Sequence, residues 1–462
     1  MNRPPEWDRA SARTLHRPGE QSSTRPSWWS RNKRKARQHG GSRRFTSCTG
    51  GLAAALLLLL NGCSGRYRTP TTLHVVVVPN ARMEWYNSFY HDALPETALL
   101  SAFRKLHPEV TVEISTVSEG KVEQRLRLSQ SRGLGPDLLL IHAPKAISLL
   151  QQGLVDPLPQ QDRGLQRTLA QVNPYLLRRA RSGQALAGLP IFAEITLACY
   201  DRRRISQPPT SLSELLAVAA AGNPVGLSVD PTGLYWTAGG LGASDALHPI
   251  LLPSDPGARI PQISQRQDLQ RWLVWLRQSS LQGRVDVANG PQDLTLGLES
   301  GRLAWIPCFS PVLARLNRTM GHRLGVAPLP GGPQGPPSPF LSNRIWALGT
   351  DSSADQRRLA LALAELSLDP ILQREITLSG RYTIPANRYV PIPVASSGQL
   401  AAMATALSQF RQTAWKGAIS YSQDAVERVL PSLESIVNQV MEGILTPDEG
   451  SEMLQQLGRR RP

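Results

Sequence analysis

Two α/β lobes, the first carrying a parallel, doubly wound sheet, are the architecture that this 462-residue sequence predicts. Three observations carry the prediction. Strand and helix signals alternate from Leu73 to Gly153, as a parallel sheet with crossover helices requires. A second alternating unit opens near Leu186. The length suits two or three domains at ~100–200 residues each, and 41% hydrophobic against 19% charged residues excludes a largely disordered chain.

The elements follow in order. Leu73–Val78 is a continuous apolar run, as expected of a strand buried on both faces. Pro95 and Glu96 open a helix with Leu99, Phe103 and Leu106 at helical spacing, and Pro108 stops it. Val110, Val112 and Ile114 alternate as a strand, Val122 and Leu126 mark a helix, and Leu138–Ile141 is a further buried strand. Ala146–Gln152 is helical and ends at Gly153. In the second unit Leu189–Tyr200 is strand-rich. Ser211 with Glu214 forms a capping-box pattern ahead of an Ala-rich helix that ends at Gly222. Leu227–Val229 is a short strand, Leu269, Trp272, Leu273 and Leu276 form the apolar face of a helix, and Gly301–Ile306 turns into a strand. Pro328–Phe340 holds six prolines and three glycines, so it reads as a loop. Helices are expected over Ala354–Leu368, Leu400–Trp415 and Ala425–Ile444.

The formal charge of +16 is unevenly placed: residues 1–62 hold twelve Lys/Arg against three Asp/Glu, and the remaining 400 hold 39 against 32. The body is only mildly basic and has no aromatic-interleaved basic stripe, so no nucleic-acid partner is expected. The basic block Arg31–Arg44 precedes ten apolar residues, Gly51–Leu60, and then Asn61-Gly62-Cys63. That order describes a secretory signal, with an apolar stretch too short for an ordinary spanning helix. Leu60-Asn61-Gly62-Cys63 resembles a bacterial lipobox, which implies acylation of Cys63 and a lipid anchor on the periplasmic side of a bacterial membrane. Asn61 departs from the small residues usual there. Export would place Cys199 and Cys308 where a disulfide is permitted, and the sequence leaves their pairing open.

No GxSxG, HExxH, P-loop or GxGxxG pattern occurs, and the eight histidines are dispersed. Neither a metal nor a cofactor is expected, and nothing in the sequence requires an enzyme.

A succession of short segments is more specific. Phe103-Arg104-Lys105-Leu106-His107-Pro108-Glu109-Val110 is followed by Gly135-Pro136-Asp137, Gly153-Leu154-Val155-Asp156-Pro157-Leu158 and Gly188-Leu189-Pro190-Ile191-Phe192-Ala193-Glu194. Then come Pro209-Thr210-Ser211-Leu212, Glu299-Ser300-Gly301-Arg302-Leu303-Ala304 and Val326-Ala327-Pro328-Leu329-Pro330. In order and spacing this resembles the extracellular solute-binding proteins of ABC importers, in the carbohydrate group that includes maltose-binding protein, over roughly residues 73–390. The resemblance implies a two-lobe periplasmic-binding-protein fold, α/β, with doubly wound sheets joined by a multi-strand hinge. It implies a signal peptide over 1–62, a linker over 63–72, a first lobe of 73–185 plus 345–390, and a second lobe of 186–340 plus 395–462. It also implies a monomer that captures a sugar, oligosaccharide or sugar-like polyol between the lobes and delivers it to permease and ATPase subunits.

Candidate ligand residues combine this resemblance with residue chemistry. Glu194 matches a cleft glutamate whose two oxygens accept from adjacent sugar hydroxyls. Tyr235 and Trp236 stand where the family often has a cleft aromatic, Trp85 lies in the long first βα loop at the C-terminal edge of the sheet, and Trp346 follows the second hinge crossing that the resemblance implies; at each a π-surface would pack against a pyranose face. Asn80, Arg82 and Arg344 are candidate donors. Trp305 reads as core. Pro144 stands where the maltose pattern has a second Asp, and Trp305–Ser310 lacks the usual Gly-Pro-Trp, so the ligand is expected to differ from maltose. The alternatives are a sensor presenting ligand to a signalling receptor and an exported glycan-active enzyme.

Overall fold

The computed structural model describes residues 71–79, 95–228, 230–251, 263–288, 290–413 and 423–459. Cys63 and the signal-like segment lie outside them, as do Asn80, Arg82 and Trp85.

The first lobe is assembled as its apolar runs require. Strands β1 (Thr71–Val77), β2 (Val110–Thr116) and β3 (Leu138–His142) pair in parallel in the order β2-β1-β3, with Val75 opposite Leu138 and Thr71 opposite Val110. Leu138, Leu139, Leu140 and Ile141 are all fully buried, the reason β3 has no polar alternation. The crossover helices are Pro95–Leu106, which stops before Pro108, Val122–Gln130 and Ala143–Gln151. A small hairpin of β4 (Arg181–Ser182) and β5 (Ala185–Leu186) follows.

Strand β6 (Leu189–Asp201) joins the two lobes. The remaining strands are β7 (Val225–Ser228), β8 (Val285–Ala288), β9 (Trp305–Phe309), β10 (Leu324–Ala327), β11 (Leu341–Leu348) and β12 (Ile384–Pro385). Between Leu189 and Ile195, β6 runs antiparallel to β11, which is itself antiparallel to β3. From Thr196 to Tyr200 it runs antiparallel to β9, and β7 then pairs in parallel with β9 and β8. The sheet therefore reads β2-β1-β3-β11-β6-β9-β7-β8, with β10 and β12 also on β6. The second lobe was expected to open at residue 186, but β6 changes partners at Ile195/Thr196. Residues 189–195 complete the first lobe's sheet, because one extended strand saturates its backbone hydrogen bonds in both halves. The β6–β11 register shifts between Arg344 and Ile345, next to Pro190, which has no N–H for the ladder.

The disulfide left open by the sequence is formed. Cys199 on β6 and Cys308 on β9 lie 5.7 Å apart at Cα, on adjacent strands where Cys199 faces Ile306 and Cys308 faces Leu197.

Helices Leu212–Ala220, Ile263–Ser280, Gln423–Glu442 and Pro447–Arg459 belong to the second lobe, the last of them without a sequence expectation. Ser211 caps its helix by accepting from Glu214 N at 3.2 Å, while the Glu214 carboxylate accepts from Thr210 N and Oγ1 at 2.8 and 2.9 Å. Reciprocal capping boxes stand at Ser353 with Gln356, at the start of Ala354–Leu366, and at Thr446 with Glu449, at the start of Pro447–Arg459. Trp272 is fully buried and donates to Thr237 Oγ1 at 2.8 Å, and Trp305 is likewise core.

Candidate functional site

Open α/β sheets bind ligands beyond the carboxyl ends of their parallel strands. In the first lobe those ends are Val77 and His142, and the antiparallel β11 begins beside them. The Ser342 hydroxyl lies 2.5 Å from His142 Nδ1, and Arg344 Nη1 donates to the Val78 carbonyl at 2.7 Å. Burial, then the adjacent Arg344 charge, holds His142 well below the usual imidazole pKa, so it is neutral at pH 7. Glu194 sits across the ladder from Ser342. Glu194 and Thr196 are the two partly exposed residues of the thirteen in β6, and as i and i+2 they share a face.

In the second lobe the corresponding edge forms a narrow pocket with a cavity volume of about 80 Å³. Its lining includes Thr196, Ser228, Asp230, Trp236, Thr295 and Phe309, with Phe340 and Cys308 also on the wall. The Phe309 and Phe340 rings lie 6.4 Å apart, and Trp236 packs on Trp305 with centroids at 5.7 Å. Trp236 is 1% exposed, and its indole N–H has no hydrogen-bond acceptor among the described residues. Such a group costs stability unless something supplies an acceptor. Aromatic walls with a few placed polar groups suit a ligand that has C–H faces and a hydroxyl rim. Among the described residues no group of three or more His, Cys, Asp or Glu could hold a metal ion.

Trp236 and Thr196 both line this pocket, and Glu194 stands two positions before Thr196 on β6 without lining it. Other candidates fall elsewhere. Trp346 is fully buried in β11, where its Nε1 donates to Ser367 Oγ at 2.8 Å. The helix Ala354–Leu366, which ends at Ser367, covers that part of the sheet, so Trp346 is a core residue and leaves the candidate set. Tyr235 does not line the pocket, although it precedes Trp236. Its hydroxyl bonds with Ser244 and Ser338, and burial pushes its pKa up to about 12. Arg344 remains at the first-lobe edge with one nitrogen committed to Val78. Sequence reasoning missed Asp230, Thr295, Phe309 and Phe340. Thr196 was within reach, two positions beyond Glu194 on one strand face.

A family model described as bacterial extracellular solute-binding protein matches residues 98–402. No curated protein matches the chain. Among solved structures, the chain resembles the GacH receptor of Streptomyces glaucescens, determined unliganded and with acarbose, at 16% identity and TM-score 0.64, covering 84% of this chain and 100% of that one. The maltotriose-binding protein of Thermus thermophilus matches at 17% identity and TM-score 0.62, over 84% and 98% of the two chains. The maltose-maltodextrin binding protein of Alicyclobacillus acidocaldarius matches at 16% and 0.62, over 84% and 100%. These likenesses show the fold that the alternating elements predict.

Proposed function

Because the chain belongs to the bacterial extracellular solute-binding proteins, we propose that it captures a sugar, oligosaccharide or sugar-like polyol between its lobes and delivers it to an ABC permease and its ATPase. One observation carries the sugar reading: an aromatic-walled pocket lined by Asp230, Thr196 and Thr295 lies at the strand ends, with Thr196 two positions along β6 from Glu194. Trp236, Phe309 and Phe340 offer π-faces to ring C–H groups, and the carboxylates accept from paired hydroxyls. The acarbose and maltotriose named for two similar structures are of this chemical class.

In this reading the ligand first meets one lobe, and rotation about β6 and β11 brings Glu194, Arg344 and Trp236 around it. The ligand stabilises the closed form by its extra contacts there, and that form is what the permease reads. Glu194 orients hydroxyls, Trp236 stacks and donates from its indole N–H, and binding proceeds without covalent chemistry, metal or cofactor. The protein is a monomer held to the membrane through acylated Cys63, with residues 1–62 as its signal and 63–72 as its tether. Several acyl chains hold such an anchor firmly.

Thermal melts of the purified protein against a panel of sugars and polyols test the reading. A ligand at 100 times its Kd is expected to add ~2.7 kcal/mol of stability. Stabilisation by amino acids or peptides and by no sugar or polyol would overturn it. The anchor is tested separately: Cys63→Ala should move the protein from the membrane fraction to the soluble one, and a wild-type protein already soluble would refute acylation.

A further inference from the structure

The segment Pro328–Phe340, a plain loop by sequence, is packed without clearance behind the pocket aromatic. Ser338 N donates to the Trp236 carbonyl at 2.9 Å, and Gln334 N donates to the Gly240 carbonyl at 2.9 Å. Both acceptors lie in the short helix Trp236–Gly240. Two glycines of that helix make the approach feasible. A Cβ on Gly240 would stand 2.5 Å from the Gly332 amide nitrogen, and one on Gly239 would strike the Pro336 carbonyl oxygen. The loop closes on itself through a bond from Gly332 N to Gly335 O at 2.9 Å, and its six prolines have fixed φ angles.

The far end of the same loop is the hinge. Phe340 lines the pocket, and its carbonyl accepts from Thr196 N at 3.0 Å, at the position where β6 changes lobes. The next residue, Leu341, begins β11. One stiff segment therefore grips the peptide of Trp236 and continues into a hinge strand.

We propose that Pro328–Phe340 is a strap that fixes the Trp236 indole on the pocket wall and ties its position to β11. Gly239, Gly240 and Ser338 are then positioning residues that act on the ligand through Trp236. The proposal deepens the reading of the pocket as the sugar site and rests on it.

Gly240→Ala tests it with two measurements. The first is the Trp236 indole N–H resonance, identified as the signal lost in Trp236→Phe. In Gly240→Ala it is expected to shift and to exchange with solvent about tenfold faster, while the Trp346 indole in the first lobe stays in place as a check of fold. The second is titration with maltotriose. The substitution should weaken binding about tenfold in the wild-type background and less than about twofold in Trp236→Ala, because two changes acting through one group do not add. An unchanged Trp236 indole, or equal losses in both backgrounds, overturns the strap. If wild type binds no sugar at all, the sugar reading fails, and the indole measurement alone decides the strap. If Gly240→Ala does not fold, Ser338→Ala is measured the same way. It removes a hydroxyl 2.5 Å from that of Ser244 and keeps the backbone bonds. An indole exchange rate about threefold faster is expected, and an unchanged rate overturns the strap.

Discussion

Removing the Cys199–Cys308 cross-link frees a loop with a sequence separation of 109 residues. In the chain-entropy treatment, closing a loop of that length takes about 16 cal/mol/K from the unfolded ensemble, or roughly 4.8 kcal/mol at 25 °C. The folded lobe loses little by comparison. The β6–β9 ladder already holds the two strands side by side, and both residues are buried, where a pair of thiols packs as small apolar groups. Cys199→Ala/Cys308→Ala is therefore expected to lower the second lobe's unfolding free energy by ~2–5 kcal/mol, the range seen on removing native disulfides. The assay is urea unfolding of wild type and the double variant, each with and without a dithiol reductant. Reductant should bring wild type close to the variant and leave the variant unchanged. A loss below about 1 kcal/mol would refute the argument that this bond restrains the unfolded chain. Cys308 also lines the pocket, so the variant should bind its sugar more weakly than wild type under conditions where both are folded.

Three further predictions concern the site and the core. Glu194→Gln should weaken sugar binding ~10- to 100-fold, since charge-assisted bonds contribute ~1.5–3 kcal/mol, and unchanged affinity in a titration would move the site. Trp236→Ala should lower affinity and also cost ~3–5 kcal/mol of apo stability, because the side chain is 1% exposed, with Trp236→Phe milder in both; apo melts matching wild type would contradict the packing. Burial lowers the pKa of His248 to about 3, and that of His142 also falls well below normal, so both stay neutral in the folded state. An unfolded histidine gains a proton below about pH 6.5, so the unfolded state binds more protons and is favoured by acid. Stability should fall from ~pH 6.5 downward, to about pH 3 for His248, at up to ~1.4 kcal/mol per unit per group. His248→Gln should flatten that dependence in pH-resolved unfolding, and an identical slope would refute the assignment.

The alternation of apolar runs and helical periodicities was legible because it is local. Leu138–Ile141 and Leu99/Phe103 report burial through spacing alone, and the strands and helices formed there. Glu194 was proposed from its place in the Gly188–Glu194 segment, and the structure puts it on the same β6 face as the pocket residue Thr196. Trp346 was misjudged for a physical reason: a tryptophan just after a hinge crossing reads the same whether the next helix folds over it or away. Here Ala354–Leu366 folds over it, and Ser367 takes its indole N–H. Tyr235 and Trp236 are adjacent in sequence, yet one bonds to Ser244 and Ser338 while the other walls the pocket. Trp236 was expected on an open cleft and is instead nearly enclosed.

By itself the sequence determined the two-lobe α/β class and the order of most elements, since each follows from residues close together in the chain. Tertiary structure decided the partner exchange within β6, the Cys199–Cys308 bond and the meeting of Asp230, Thr295, Phe309 and Phe340 around one pocket. Those contacts join residues tens to more than a hundred positions apart. Which of them form depends on how sheets twist and helices cover them, and neither is written in any local pattern.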